Sequence, residues 1–137
     1  MKGIGADGEY WAALAQGKLK MQRCAGCGTW NWPAVWRCGE CAGWEQVWEE
    51  VAPQGRIYSW TRSWYDFGAP RDLPVPYVSV VVELDGAGGK RLLGTLEGGE
   101  PAIGLAVTAQ VRASEFEGEA LLSLRWKPSF TQTAREA

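Results

Sequence analysis

Four cysteines stand in the stretch CAGCGTWNWPAVWRCGEC, residues 24–41, and the chain has no others. They form two C-x-x-C pairs, Cys24/Cys27 and Cys38/Cys41, ten residues apart. Nothing else in the sequence limits the fold as strongly, because whatever joins the pairs must bring two tight turns face to face. Thiols in a reducing compartment stay reduced, and paired turns at this separation suit a tetrahedral Zn²⁺ held by four thiolates. Disulfides, a rubredoxin-type iron centre and a thioredoxin-type redox pair are the competing readings. Tetrahedral S₄ accepts iron as well as zinc, whereas two pairs point to shared ligation over a redox motif. Gly28 after the first pair and Gly39 inside the second are candidates for the positive φ that such turns need. With all four positions filled by protein, the metal has no open site and its expected role is structural.

Tryptophan crowds the same stretch. Trp30, Trp32, Trp36 and nearby Trp44 together carry on the order of 800 Å² of side-chain surface, more than so short a ribbon can bury by itself. Some must pack on the rest of the chain. Others are expected to form a partner or ligand surface, where tryptophan is enriched.

Ahead of the ribbon, DGEYWAALAQGKL reads as a short helix, with Asp7 as N-cap and Gly17 as its stop. Tyr10, Trp11 and Leu14 make its apolar stripe. Behind the ribbon the period changes to two. QVWEEV and GRIYSWTRSWY give a first strand broken at Pro53–Gly55. PYVSVVVELD sets Val78, Val80, Val82 and Leu84 on one face. KRLLGTLEG follows the GAGG turn, LAVTAQVRA turns Leu105, Val107, Ala109 and Val111 inward, and ALLSLRWKP returns. Five or six strands on short turns indicate a small antiparallel barrel or sandwich. The segment SWYDFGAPRDLPVPY, residues 63–77, escapes the pattern. Loops of that length are usually functional or mobile, and its three prolines lower the entropy cost of holding an aromatic-lined wall in place.

Fourteen basic against sixteen acidic residues give a net charge of −2, so no global field attracts nucleic acid. Histidine is absent, which removes the commonest general base and every Ser-His or Cys-His nucleophile. No apolar run is long enough for a membrane span, and the N-terminus lacks the apolar core of a signal peptide. A cytoplasmic protein without membrane contact is the expectation.

The order of these features resembles one family. YWAALAQGKL, QRCAGCGTWNWPAVWRCGEC, GRIYSWT, PVPYVSVVVEL and RLLGTL look like the zinc-ribbon/OB-fold acyl-CoA-associated proteins, domain-of-unknown-function family 35. The resemblance covers about residues 9 to 112. It implies a mainly β protein: an N-terminal helical segment (1–21), a rubredoxin-like zinc ribbon (22–46), a five- to six-stranded OB-fold barrel (47–130) and a flexible tail (131–137). It also implies a partner, since members generally accompany thiolase-superfamily enzymes acting on CoA thioesters, including retro-aldolases of steroid side chains and acyltransferases. Only the metal ligands, Cys24, Cys27, Cys38 and Cys41, carry over residue by residue. No catalytic residue does, and the lack of histidine agrees with catalysis by the partner.

On this reading the protein is a non-catalytic subunit of a hetero-oligomer that shares an acyl-CoA substrate with a thiolase-fold enzyme. Tyr10, Trp11, Trp30, Trp32, Trp36, Trp64, Tyr65 and Phe67 are the candidate partner or ligand surface. Arg71, Lys90 and Arg91 are candidate contacts for CoA phosphates. An alternative is a single-strand nucleic-acid binder, with Arg56, Tyr58, Trp60, Arg62 and Trp64 as a stacking face. A third is an enzyme using Asp66 and Asp72 as acid and base.

Overall fold

The computed structural model describes residues 5–129. The N-terminal helix forms over Gly8–Leu14 (α1), and Asp7 stands at its N-cap without capping it. The Asp7 carboxylate instead accepts a 2.8 Å hydrogen bond from the Trp11 indole, four residues on. That bond lowers the Asp7 pKa below its ordinary value and ties down the Trp11 indole, which is partly buried against the core. The helix ends as expected, with Gly17 at φ +74°. The Gly17 N–H donates to Leu14 O and the Lys18 N–H to Ala13 O, the paired bonds of a Schellman stop.

The ribbon is a three-stranded sheet ordered β2-β1-β3, made of Lys20–Cys24 (β1), Trp30–Asn31 (β2) and Gln46–Glu50 (β3). Read from sequence as the start of the barrel, 46–50 instead pairs antiparallel with β1 along its whole length, Lys20 opposite Glu50. Gln22, buried on β1, pins the loop that follows β2. Its Nε2 donates to Val35 O and its Oε1 accepts from Val35 N, both at 2.9 Å.

Five strands close the barrel: Gln54–Ser63 (β4), Tyr77–Leu84 (β5), Lys90–Leu96 (β6), Ala106–Phe116 (β7) and Glu119–Pro128 (β8). Their order is β4-β5-β6-β8-β7. Closure comes from a parallel pairing of β6 with β8, Thr95 opposite Arg125 and Leu96 opposite Trp126. An all-antiparallel meander is therefore corrected at this one seam. Closing the sheet leaves no edge strand exposed.

The period-two pattern sets the core. Val80, Val82, Leu84, Val107, Ala109, Leu124 and Trp126 are buried inside the barrel, and Tyr10, Leu14, Leu19 and Met21 belong to the same cluster. Helix, ribbon and barrel thus share one core. The tail expected at 131–137 lies outside the described residues.

Candidate functional site

The metal centre is built by two repeated turns. After Cys24 at the end of β1, Gly28 N–H returns to Cys24 O; after Cys38, Ala42 N–H returns to Cys38 O, both at 2.9 Å. The residue closing each turn takes a left-handed backbone, Gly28 at φ +78° and Ala42 at φ +64°. Gly39 is not among the positive-φ residues. The second turn takes its positive φ at an alanine instead.

These turns bring all four Sγ atoms within 4.8 Å of one another. Cys24 and Cys41 Sγ are 3.5 Å apart, Cys27 and Cys38 Sγ 3.7 Å. Four sulfurs at the usual Zn–S distance of about 2.3 Å would be spaced about 3.8 Å along each tetrahedral edge. The donor set fits.

Its electrostatics fit as well. The N–H groups of Cys41 and Glu40 hold the Cys38 thiol down at about 6, and the side chain and backbone of Thr29 lower Cys27. At Cys41 the Gly43 N–H pulls downward, but crowding by Cys24 and Cys27 outweighs it and pushes the thiol up to about 11. Four thiols this close cannot all ionise without a cation between them. Zn²⁺ held by Cys24, Cys27, Cys38 and Cys41 answers that, as a structural ion with no position left for substrate.

The predicted surface residues divide into three groups. Tyr10, Trp11, Trp32, Lys90 and Arg91 line one cleft of about 700 Å³, with Pro33, Gly88, Gly89, Leu92 and Leu93 completing its wall. Tyr10 is buried there, not exposed: it packs 5.1 Å from Trp11 and 4.6 Å from Trp32, centroid to centroid. Burial pushes its hydroxyl up to about 12. Trp30 packs against the core and under Arg23, 4.8 Å from its ring. Trp36, by contrast, is exposed, as is Trp44.

In the second group, Trp64, Tyr65 and Phe67 stand out from the loop after β4 at 72%, 68% and 82% exposure, with Tyr65 and Phe67 rings 4.7 Å apart. Third, Arg71 does not join Lys90 and Arg91. It lines a separate cleft of about 750 Å³ between this loop and the β7–β8 hairpin, beside Asp72, Ser114 and Phe116. Arg91 stacks 3.6 Å from the Tyr58 ring and pairs with Glu83 at 3.4 Å.

The proposed acid–base pair is committed elsewhere. Asp66 Oδ1 accepts from Gly68 N–H within its own turn. Asp72 accepts from Ser114 Oγ at 2.8 Å and from Arg125 Nη2 at 3.0 Å. The alternating stacking face is also interrupted. A bulge at Tyr58 leaves Arg56 opposite Glu83, but sets Trp60 and Arg62 opposite Val80 and Val78, on the other face.

Sequence reading missed Arg125, which is 2% exposed. Its Nη1 reaches Glu97 Oε2 at 3.6 Å, and Arg112 donates to the same carboxylate oxygen. The available signal was an arginine set between Leu124 and Trp126 in the run LLSLRW.

The comparisons agree with this architecture. Residues 11–45 match the family model for the ChsH2 rubredoxin-like zinc ribbon domain. Residues 48–113 match that for the ChsH2 C-terminal OB-fold domain, so the two together span most of the chain. The chain belongs to the ChsH2 (DUF35) family. Among solved structures it is similar to a chain of "Ltp2-ChsH2(DUF35) aldolase", at 27% identity and TM-score 0.76, covering 90% of this chain and 94% of that one. A DUF35-family protein of unknown function from Sulfolobus solfataricus shares the fold, at 22% identity and TM-score 0.60, with 93% and 87% covered. No curated protein matches the sequence. No helix among the described residues is long and apolar enough to cross a membrane.

Proposed function

We propose that this chain is a non-catalytic accessory subunit that binds and stabilises a thiolase-fold enzyme acting on acyl-CoA thioesters. The first assignment is a retro-aldolase of steroid or lipid side-chain esters; an acyltransferase is the second. One observation carries the reading: the chain is similar, over nearly the full length of both, to a chain of an Ltp2-ChsH2(DUF35) aldolase.

The site chemistry supports it. With no histidine in the sequence and Asp66 and Asp72 bound into a turn and an ion pair, the described residues offer no free acid–base pair at those positions. Exposed aromatics at Trp36, Trp64, Tyr65 and Phe67 suit a protein surface. Lys90 and Arg91 edge the cleft walled by Trp11 and Trp32, where phosphates of an acyl-CoA shared with the partner would find positive charge.

The test is a tagged pull-down from the native host, followed by native mass spectrometry. A thiolase-fold chain recovered in fixed stoichiometry is the expected result. Recovery of a lone monomer carrying one zinc would overturn the reading.

A further inference from the structure

Arg125 projects from the outer face of β8, where a cation would ordinarily be solvated, yet it is 2% exposed. The loop between β4 and β5 lies over it. Each nitrogen of its guanidinium has a polar partner: Nη2 donates to Asp72 Oδ2 at 3.0 Å and Ser114 Oγ at 2.9 Å, Nε donates to Ser123 Oγ at 3.2 Å, and Nη1 forms an ion pair with Glu97 at 3.6 Å. Ser114 Oγ in turn donates to the same Asp72 oxygen. Of these partners only Asp72 belongs to the loop; Ser114, Ser123 and Glu97 are on or next to barrel strands. A buried charge is costly unless its partners stay in place, so releasing Asp72 would cost the guanidinium its nearer carboxylate and leave it the 3.6 Å pair with Glu97. The loop is held by its one carboxylate that reaches the barrel.

What the loop carries is apolar. Trp64, Tyr65 and Phe67 expose on the order of 450 Å² between them, taking each ring at about 200 Å² and scaling by its exposure. That is more than half of the roughly 800 Å² one side of a standard protein interface buries. Two local turns stiffen the segment further, Asp66 Oδ1 accepting from Gly68 N–H at 2.8 Å and Leu73 N–H donating to Pro70 O at 2.9 Å.

We propose that Arg125, acting through Asp72, is a positioning residue: it latches the loop so that Trp64, Tyr65 and Phe67 meet an apolar recess on the thiolase-fold subunit as a preformed anchor. This rests on the subunit reading above. The latch works by keeping the loop in one posture. The cost of ordering three aromatics is met when the chain folds, not at each encounter.

The experiment compares wild type, Asp72→Asn, Phe67→Ala and the double variant, since Asp72 is on the exposed side of the pair whereas Arg125→Met would alter a fully buried site. Hydrogen exchange of the isolated chain comes first. Asp72→Asn is expected to raise exchange within 64–76 while β5–β8 keep their protection; unchanged exchange in 64–76 overturns the latch whatever the partner.

Dissociation constants for the captured thiolase-fold subunit come second. If loosening lowers the competent posture to about a tenth of the population, Asp72→Asn weakens binding about tenfold. Phe67→Ala is expected to cost about thirtyfold or more. The double variant should lose less than the two single losses combined, because the latch acts only through the anchor and Phe67 is one of its three rings; a merely structural role would add its loss in full. Equal affinity of Asp72→Asn and wild type, or strict additivity, overturns the proposal alone. Failure of wild type to capture any thiolase-fold subunit overturns the subunit reading, and the proposal with it.

Discussion

Gly88 holds its backbone against the face of Trp30 so closely that a β-carbon there would lie 2.7 Å from Trp30 Cδ1. Gly88 also has φ +62°, a conformation other residues reach only with strain. The contact joins the turn between β5 and β6 to the ribbon, and Gly88 itself lines the cleft that Trp32, Lys90 and Arg91 share.

Gly88→Ala is therefore expected to destabilise the protein by about 2–4 kcal/mol, combining left-handed strain with overpacking. Equilibrium urea unfolding measures it. The same variant should shift the ribbon away from the barrel, read as a change in near-UV ellipticity from the tryptophans. A loss under about 0.5 kcal/mol would mean that Trp30 yields freely and does not brace the cleft.

Metal removal should reach beyond the ribbon. Met21 lies on β1, the strand that ends at Cys24, and Leu19 directly precedes that strand; both belong to the common core with Val80 and Trp126. One zinc per chain is expected by elemental analysis. A structural zinc contributes on the order of 10 kcal/mol to folding a small domain. Excess chelator should accordingly melt the ribbon and expose part of the barrel core to hydrophobic dyes. Cys38→Ser, which removes a thiol held down at about 6, should reproduce this without chelator. A chelated chain with unchanged far-UV and near-UV spectra would show that the four thiols need no ion.

The metal ligands and the strand runs were legible in the sequence for the same reason: each depends on spacing along the chain. Two C-x-x-C pairs impose their own turns, and alternation from Val78 to Leu84 leaves one choice of inner face. What depends on closure was not legible. Strand 46–50 has the alternation of a barrel strand, but β1 is the neighbour it finds. The parallel seam between β6 and β8 joins residues about thirty apart, and the pairing of β4 with β7 joins residues about fifty apart. Among the tryptophans, composition could not tell Trp126, fully buried, from Trp64. Asp7 shows the local limit: a good N-cap residue is diverted when an indole N–H four residues on competes for its carboxylate.

Acid should weaken the bond between loop and barrel with a definite sign. The Ser114 hydroxyl first, and then the Arg125 charge, outweigh desolvation to hold Asp72 below its ordinary 3.8. A carboxylate whose folded pKa is depressed adds stability that is fully present above its unfolded pKa and is lost as pH falls through the folded value. The stability difference between wild type and Asp72→Asn should thus stay constant from pH 7 to 5 and shrink below about pH 4. Thermal unfolding across that range reads it. Because the Asp72 side chain is 41% exposed, the difference itself should be small, within about 1 kcal/mol. A difference that grew on acidification would place the Asp72 pKa above its ordinary value and contradict the ion pair.

The two metal-binding turns supply a matched pair of substitutions. Gly28 and Ala42 occupy equivalent places, each returning its N–H to the first cysteine of its pair, at φ +78° and φ +64°. A β-carbon on Gly28 would meet nothing closer than 3.8 Å, the tip of Arg23. Sterics beyond the backbone therefore do not enter, and the left-handed penalty is isolated. For an alanine that penalty is roughly 1–2 kcal/mol, partly offset by the greater freedom glycine gives the unfolded chain. Gly28→Ala should cost about 1 kcal/mol, and Ala42→Gly should stabilise by a similar amount. The double variant, with the two residues exchanged, should come back close to wild type, since the turns are separate and the terms add. Denaturant unfolding of the zinc-loaded protein measures all three. If Ala42→Gly destabilised instead, the alanine methyl would be serving the turn in some way other than backbone geometry, and the two turns would not be equivalent.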